Sequence, residues 1–244
     1  MKRLLVLFLI IASVSAQSQE SVLLRLNYNK GDNYIINMKI SQEMGTIMTN
    51  DMNFEMSQKI TEINEDIYDS ELKIQKISMK VSQGGVNIDY DSTTKEEDLD
   101  ASGKIMKTQM DPMLNALIKV KSNSLGEEIE TKVEPSVKGL EEMSNQSSSV
   151  VYPKEAVSVG SSWNATKTEK GMDFKFTYTV KSITSKLVTL DISGTVGGLA
   201  EGTISGKMNI DKNTGVPNSS KIDMDMTVSG QKLTTNLLAT MKKI

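Results

Sequence analysis

Apolar and polar residues alternate along most of this chain, and this period of two constrains the fold more than any other feature. The alternation is clearest between Tyr152 and Val196. Such a pattern is typical of strands with one buried face in an antiparallel sheet. It predicts a mainly β protein, with a large curved antiparallel sheet or open half-barrel of about ten to twelve strands and one or two short helices over one face. The apolar positions of this central hairpin are Met172, Phe174, Phe176, Tyr178, Val180, Val188, Leu190, Ile192 and Val196.

Three local features refine this prediction. A first strand is predicted to carry Val22 to Tyr28 on one face, and a turn is predicted at Asp211–Gly215. The alternation slips by one residue at Gln75-Lys76, which predicts a β-bulge there because a buried face tolerates no change of parity. A hairpin is predicted to turn at residues 123–126.

Two short helices are predicted, separated from the strands by polar segments. The first spans Met110 to Ile118, where Asp111 would cap the helix and Pro112 would occupy its first turn. The acidic stretch from Asp91 to Gly103 before it is predicted to be an exposed loop. A second helix is predicted over residues 136–144.

The amino terminus predicts export. A short basic start, an apolar run and small residues up to Ala16 are typical of a secretory signal peptide over residues 1–16. Residues 17–244 are then predicted to form a single β-rich domain, with two similarly built halves at about 17–135 and 150–244. Because Cys is absent and no later apolar run is long enough to span a bilayer, the mature protein is predicted to be periplasmic or extracellular, soluble and without a lipid anchor.

The composition disfavours most catalytic chemistry. With no His and no Cys, the chain lacks the residues of Ser-His-Asp and Cys-His catalysis and the commonest zinc ligands. We therefore predict a protein that is not an enzyme and has no catalytic residues, metal site or cofactor. A carboxylate-dependent hydrolase is the least favoured alternative, and the acidic stretch from Asp89 to Asp100 lacks the ligand spacing of a calcium loop. The net charge of −3 argues against nucleic acid as a partner.

Three stretches resemble motifs of an uncharacterised family of exported, β-rich bacterial envelope proteins of the Bacteroidota type. They are residues 24–34, residues 153–163 with the pattern P-x-x-x-V-x-x-G-x-x-W, and the turn at residues 211–217. The resemblance implies a fold similar to the lipoprotein-carrier half-barrels, in which helices cover the mouth of a curved sheet that holds acyl chains. It implies no settled function, because a fold alone does not fix one.

Methionine is the residue type that bears most on function. Met is flexible and polarisable, and surfaces that accept varied apolar ligands use it heavily. One hypothesis is a concave face that binds or carries a lipid or an acylated protein. The alternative is a structural or protein-interaction module with a filled core and an envelope protein as its partner. The predicted apolar lining consists of Met38, Met52, Phe54, Met56, Met79, Met113, Leu117, Met172, Phe174, Phe176, Met208, Met224 and Met226.

Overall fold

A computed structural model describes residues 20–137, 139–141 and 150–244. The predicted signal peptide and the end of the predicted second helix lie outside these ranges, and residues 139–141 are helical. The strands are β1 (Ser21–Val22), β2 (Asn33–Met44), β3 (Met48–Asn64), β4 (Ile67–Gln83), β5 (Val86–Asp91), β6 (Leu117–Asn123), β7 (Glu128–Glu134), β8 (Val157–Ser158), β9 (Ser162–Glu169), β10 (Met172–Ile183), β11 (Leu187–Gly198), β12 (Ala200–Asp211), β13 (Pro217–Val228) and β14 (Gln231–Lys243).

Twelve of these strands form one antiparallel sheet that does not close on itself. Its order is β7-β6-β4-β3-β2-β14-β13-β12-β11-β10-β9, and β5 pairs with β4 beside this path. Strands β1 and β8 form a separate pair. Almost every neighbour in the sheet is also a neighbour in sequence, which is the simplest antiparallel connection. The exceptions are the pairing of β4 with β6 and the pairing of β14 with β2, which joins the two parts of the chain. The predicted open, mainly β fold is confirmed.

The register places nearly all apolar strand residues on one side of the sheet. Directly paired residues on neighbouring strands point to the same side, so a row of pairs can be followed across the whole sheet. We name the side that carries this row the apolar face and the opposite side the polar face. The row consists of Trp163, Tyr178, Ile192, Gly206, Ile222, Leu237, Ile40, Met52, Met79 and Tyr90.

The predicted β-bulge is present in β4. Glu55 pairs with Lys76 and Met56 pairs with Ile74, which leaves Gln75 as the extra residue. The extra residue restores the parity, so Ile74 and Ile77 are both buried at 1% exposure. The hairpin turn after β6 and the turn that ends at Gly215 are also present as predicted.

The helix prediction was wrong in its boundaries. Helix α1 spans Ala101–Asn115, and the side chain of Asp100 caps it by accepting a hydrogen bond from the Gly103 amide at 2.7 Å. Asp111 and Pro112 therefore lie in its last turns and do not begin it. The predicted loop from Asp91 to Gly103 also holds a 3-10 turn and the start of α1. The physical reason is that Met106, Met110, Met113 and Leu114 recur at helical spacing and pack against the core.

The predicted first strand was also wrong, because only Val22 of it lies in a paired strand, β1. The chain then crosses one end of the sheet and exchanges single hydrogen bonds with separate loops. The Leu26 amide donates to the Ser124 carbonyl and the Asn27 amide to the Thr214 carbonyl, each at 2.8 Å. Because the partners change from residue to residue, this segment cannot form a ladder.

One end of the apolar face is closed by this crossing segment. Leu24 packs there with Val150, Tyr152 and Val157 against β10–β12. A second cluster beside it joins Tyr28, Tyr34, Ile60, Tyr68 and Val216. Tyr28 meets Tyr34 and Tyr68 edge to face, at ring-centroid distances of 5.6 and 5.2 Å. We name this the closed end of the sheet and the end with the β2–β3 and β13–β14 turns the open end.

Candidate functional site

The predicted lining residues that lie on strands share the apolar face, with one exception. Their register pairs connect them through Met38–Phe54, Met52–Met79, Ile36–Met56 and the corresponding pairs of β10–β13. Leu117 is the exception: it begins β6 and pairs with Glu134, whereas its neighbour Ile118 lies on the apolar face. Met113 lies on α1 and packs over β3 and β4 with the core cluster there. The structure therefore places most of the set on one face, spread over strands from β10 to β4.

These residues divide by exposure into two groups. Phe54, Met56, Met208 and Met226 are buried in the two main core clusters. The others on this face are half-buried and form a band that crosses the sheet from β10 through β13, β2 and β3 to β4. Most of them pack against these clusters with part of their surface, and a ligand could cover the part that remains exposed. The half-buried residues are Met38, Met52, Met79, Met172, Phe174, Phe176 and Met224.

The band leads to the open end, where the hairpin tips expose apolar side chains. Ile47 lies between β2 and β3, Val86 follows the β4–β5 turn, and Leu199 lies between β11 and β12. Their exposures are 45%, 58% and 73%. In an antiparallel sheet the chain direction alternates from strand to strand, so every second turn lies at the same end. These three turns share one end of the sheet. The apolar face is thus closed at one end and bordered by exposed apolar tips at the other.

Three polar side chains interrupt the apolar face near the open end. Thr235, Gln42 and Asn50 are consecutive in one row, between Met224 on one side and Val81 on the other. The Asn50 Nδ2 donates to the Gln42 Oε1 at 3.3 Å. Thr235 is 4% exposed. The predicted lining does not include this group, although all three residues occupy alternating positions that face the apolar side.

The polar face carries a separate concavity of about 350 Å³ over β14, β2, β3 and β4. Charged side chains line it, including Lys39, Glu55, Lys76 and Asp91. Lys76 lies 3.7 Å from Glu55, and hydrogen bonds from the Thr93 side chain and amide lower the pKa of Asp91. This concavity is polar and lies on the side of the sheet opposite the half-buried band, so it is not the predicted apolar site.

Charged groups adjoin the band at two places: Lys167 and Glu169 of β9 oppose Phe174 and Met172, and Lys107 and Asp111 of α1 lie near Tyr90. Tyr90 ends the central row at 1% exposure, and burial raises the pKa of its hydroxyl, as does nearby Asp111, while Lys107 opposes them. Burial also raises the pKa of Tyr178, so both phenols are neutral near pH 7. Within residues 20–137, 139–141 and 150–244, no group of three acidic residues is placed to hold a metal ion. No helix among those same residues is long and apolar enough to cross a membrane.

Comparison with known proteins gives a partial match to one family model and a similar fold. Residues 98–217, just under half of the chain, match the model described as a family of unknown function (DUF6263). This match agrees with the resemblance to an uncharacterised family. No curated protein matches the sequence.

Among solved structures, the fold is similar to a part of lipovitellin. The TM-score is 0.56 at 11% identity, and the match covers 89% of this chain but 25% of the lipovitellin chain. The protein therefore spans about a quarter of the chain that it matches, and the likeness establishes the fold alone. Rv2717c from M. tuberculosis aligns over 88% of this chain and 92% of its own at 10% identity, but its TM-score of 0.29 is too low to support a shared fold.

Proposed function

We propose that this protein is an exported, non-catalytic envelope protein that binds an apolar ligand, a lipid or an acylated protein, on the apolar face. The observation that carries the proposal is the half-buried band, which crosses that face from β10 to β4 and reaches the open end at Met172. Each half-buried side chain that a ligand covers would release apolar surface from water, at about 25 cal/mol per Å². Five of the band residues are Met, whose flexible side chains adapt to ligands of different shape.

Two further observations support an apolar ligand. The similar lipovitellin structure is described in terms of lipid–protein interactions, and this chain has the same arrangement of strands over most of its length. The closed end gives a ligand a floor, because Leu24 and Tyr152 are 1% and 2% exposed there. A ligand would therefore enter between the hairpin tips at the open end.

A second candidate is a structural or protein-interaction module. It is favoured by the burial of Phe54, Met56, Met208 and Met226, which shows that part of the apolar face is already filled by its own side chains. On this reading the half-buried band would meet an envelope protein instead of a small ligand. The two candidates predict different masses for the protein purified from its own cells.

Native mass spectrometry of the protein from its host, followed by organic extraction, separates the two candidates. A stoichiometric lipid adduct that extraction releases is the result we expect. Met224→Asp should remove the adduct and weaken binding of added lipid by about 30-fold or more, because an unpaired carboxylate would lie under the ligand. Leu238→Asp is the matched control, since Leu238 is 44% exposed and lies on the polar face of the neighbouring strand β14.

A clean apo mass, with no uptake of added phospholipid or fatty acid, would leave the protein-interaction candidate. Circular dichroism of Met224→Asp distinguishes lost binding from lost folding. If that variant unfolds, Met224→Gln removes apolar contact without adding a charge and should still weaken lipid uptake. Equal loss in Met224→Asp and Leu238→Asp would contradict a site on the apolar face.

Export is part of the same proposal and has its own measurement. If residues 1–16 are a signal peptide, the protein recovered from the host cell envelope should begin at Gln17. The intact mass and an amino-terminal peptide map measure this directly. A protein that retains Met1 and stays in the cytoplasm would contradict export without bearing on the ligand.

A further inference from the structure

We propose that Thr235, Gln42 and Asn50 form the subsite for the head of an amphiphilic ligand, and that this head is uncharged and bears a hydroxyl or amide. The inference rests on the proposed function and deepens it. It assigns a ligand class, a long-chain compound such as a monoacylglycerol, and a direction: the head lies near the open end and the tail lies deeper on the apolar face.

Two atoms of this group are buried and lack a hydrogen-bond partner in the part of the chain that the structure describes. They are the Oγ1 of Thr235 and the Oδ1 of Asn50. The Nδ2 of Asn50 is occupied by Gln42 at 3.3 Å. Leaving a buried donor or acceptor unpaired costs about 1–3 kcal/mol each, so such groups are rare and call for an explanation. A ligand head that bonds to both atoms would remove this cost.

The register places the three residues where one small head can reach them. Directly opposed residues of an antiparallel pair have Cβ atoms about 4.5–5.5 Å apart. Thr235 opposes Gln42, and Gln42 opposes Asn50. Met224 opposes Thr235 from the other side, and Met48 lies two residues before Asn50 on the same strand. These flexible side chains could move aside to admit a head group.

The position of the group sets the direction of the ligand. Gln42 lies two residues before the end of β2 at the open end. Ile40 and Met38 follow it on the same face towards the closed end, with Leu237 and Ala239 opposite them. The strand from Gln42 to Met38 extends about 13 Å, at about 3.3 Å per residue. A tail laid along it would contact the half-buried band.

The surroundings favour an uncharged head. Ile40, Leu237, Met224 and Val81 adjoin the group on the apolar face, and none can neutralise a carboxylate or phosphate. A buried ion without a partner is far costlier than a buried hydroxyl. The Thr235 hydroxyl can donate or accept, and the Asn50 Oδ1 accepts. Together they match a head that offers one donor and one acceptor.

The test compares monoolein with oleate at pH 8, followed through the fluorescence of Trp163, which lies on the same face. We expect monoolein to bind at least about tenfold more tightly than oleate. Thr235→Val should weaken monoolein about tenfold and leave oleate unchanged, because it removes the hydroxyl at nearly constant volume. Thr235→Ser should retain the affinity. Thr240→Val, an exposed change on the polar face of the same strand, is the control.

A stability measurement on the ligand-free protein gives an independent readout. If the Thr235 hydroxyl is unpaired without ligand, Thr235→Val should raise the melting temperature by about 2–4 °C. Equal affinity for monoolein and oleate, with no effect of Thr235→Val, would overturn the head-group subsite and leave apolar binding intact. If the wild-type protein binds neither compound, the proposed function fails and this inference fails with it.

Discussion

Replacing Leu24 with alanine is expected to lower the free energy of unfolding by about 2–5 kcal/mol. Leu24 is 1% exposed and belongs to the core cluster at the closed end, although its backbone pairs with no strand. Its removal would leave a cavity between the crossing segment and Tyr152. The Arg25 guanidinium donates to the Pro153 and Lys154 carbonyls, so the segment should stay in place. The loss of stability should therefore come mainly from the cavity.

The adjacent residue provides a matched control. Leu23 has the same side chain but is 54% exposed, so Leu23→Ala should change stability by no more than about 0.5 kcal/mol. Urea denaturation followed by Trp163 fluorescence measures both variants. Trp163 reports on this end, because its Nε1 donates to the Val151 carbonyl at 2.9 Å. Similar small losses in the two variants would mean that the crossing segment does not contribute to the core.

The strands could be predicted because their signal is local. A period of two shows in any five or six residues, so β10 and β11 follow directly from the alternation between Met172 and Val196. The bulge at Gln75 was predictable for the same reason, because the parity changes within the strand itself. Turns such as Asp211–Gly215 have their own chemistry, with the Asp211 carboxylate accepting from the amides of Asn213 and Thr214.

The errors arise where distant contacts decide the structure. Val22 to Tyr28 alternates like a strand, but its partners are the Ser124 and Thr214 carbonyls, which no local pattern could indicate. Pro112 favoured a helix start because proline is common in the first turn. The cap at Asp100 lies eleven residues before Asp111, and the helix is stabilised by packing on β4 and β5.

The sequence was sufficient to predict which residues lie on the apolar face, but not which polar residues there could bind a ligand head. The alternation assigns Met38 and Met224 each to the apolar side of its own strand. Only the pairing of β14 with β2 shows that the two residues share one surface. Leu117 was included in the predicted lining because it was assigned to the helix. It instead begins β6, where its side chain points away from the apolar face. The polarity of Thr235 can be read from the sequence, whereas its missing hydrogen-bond partner depends on the packed neighbours.

Three glycines lie on the apolar face, where the alternation alone would predict apolar side chains. Gly194, Gly202 and Gly206 all occupy apolar-face positions. A Cβ on them would lie 2.2–2.4 Å from the backbone oxygens of Lys175, Asp225 and Lys221. The neighbouring strand therefore crosses over the position that a side chain would fill. Glycines at such points let a sheet bend sharply, so we expect the sheet to bend at these three residues.

Gly194→Ala is expected to destabilise the protein by about 1–3 kcal/mol or more, because the Lys175 carbonyl belongs to a paired strand and cannot move independently. Gly197→Ala on the same strand is the control. Its Cβ would meet nothing within 4 Å and its backbone needs no positive φ, so it should be neutral or stabilising by up to about 1 kcal/mol. Thermal unfolding and monoolein binding should both be measured. Flattening at Gly194 should weaken binding as well as stability, whereas equal stability in the two variants would show that the sheet does not depend on a bend at this residue.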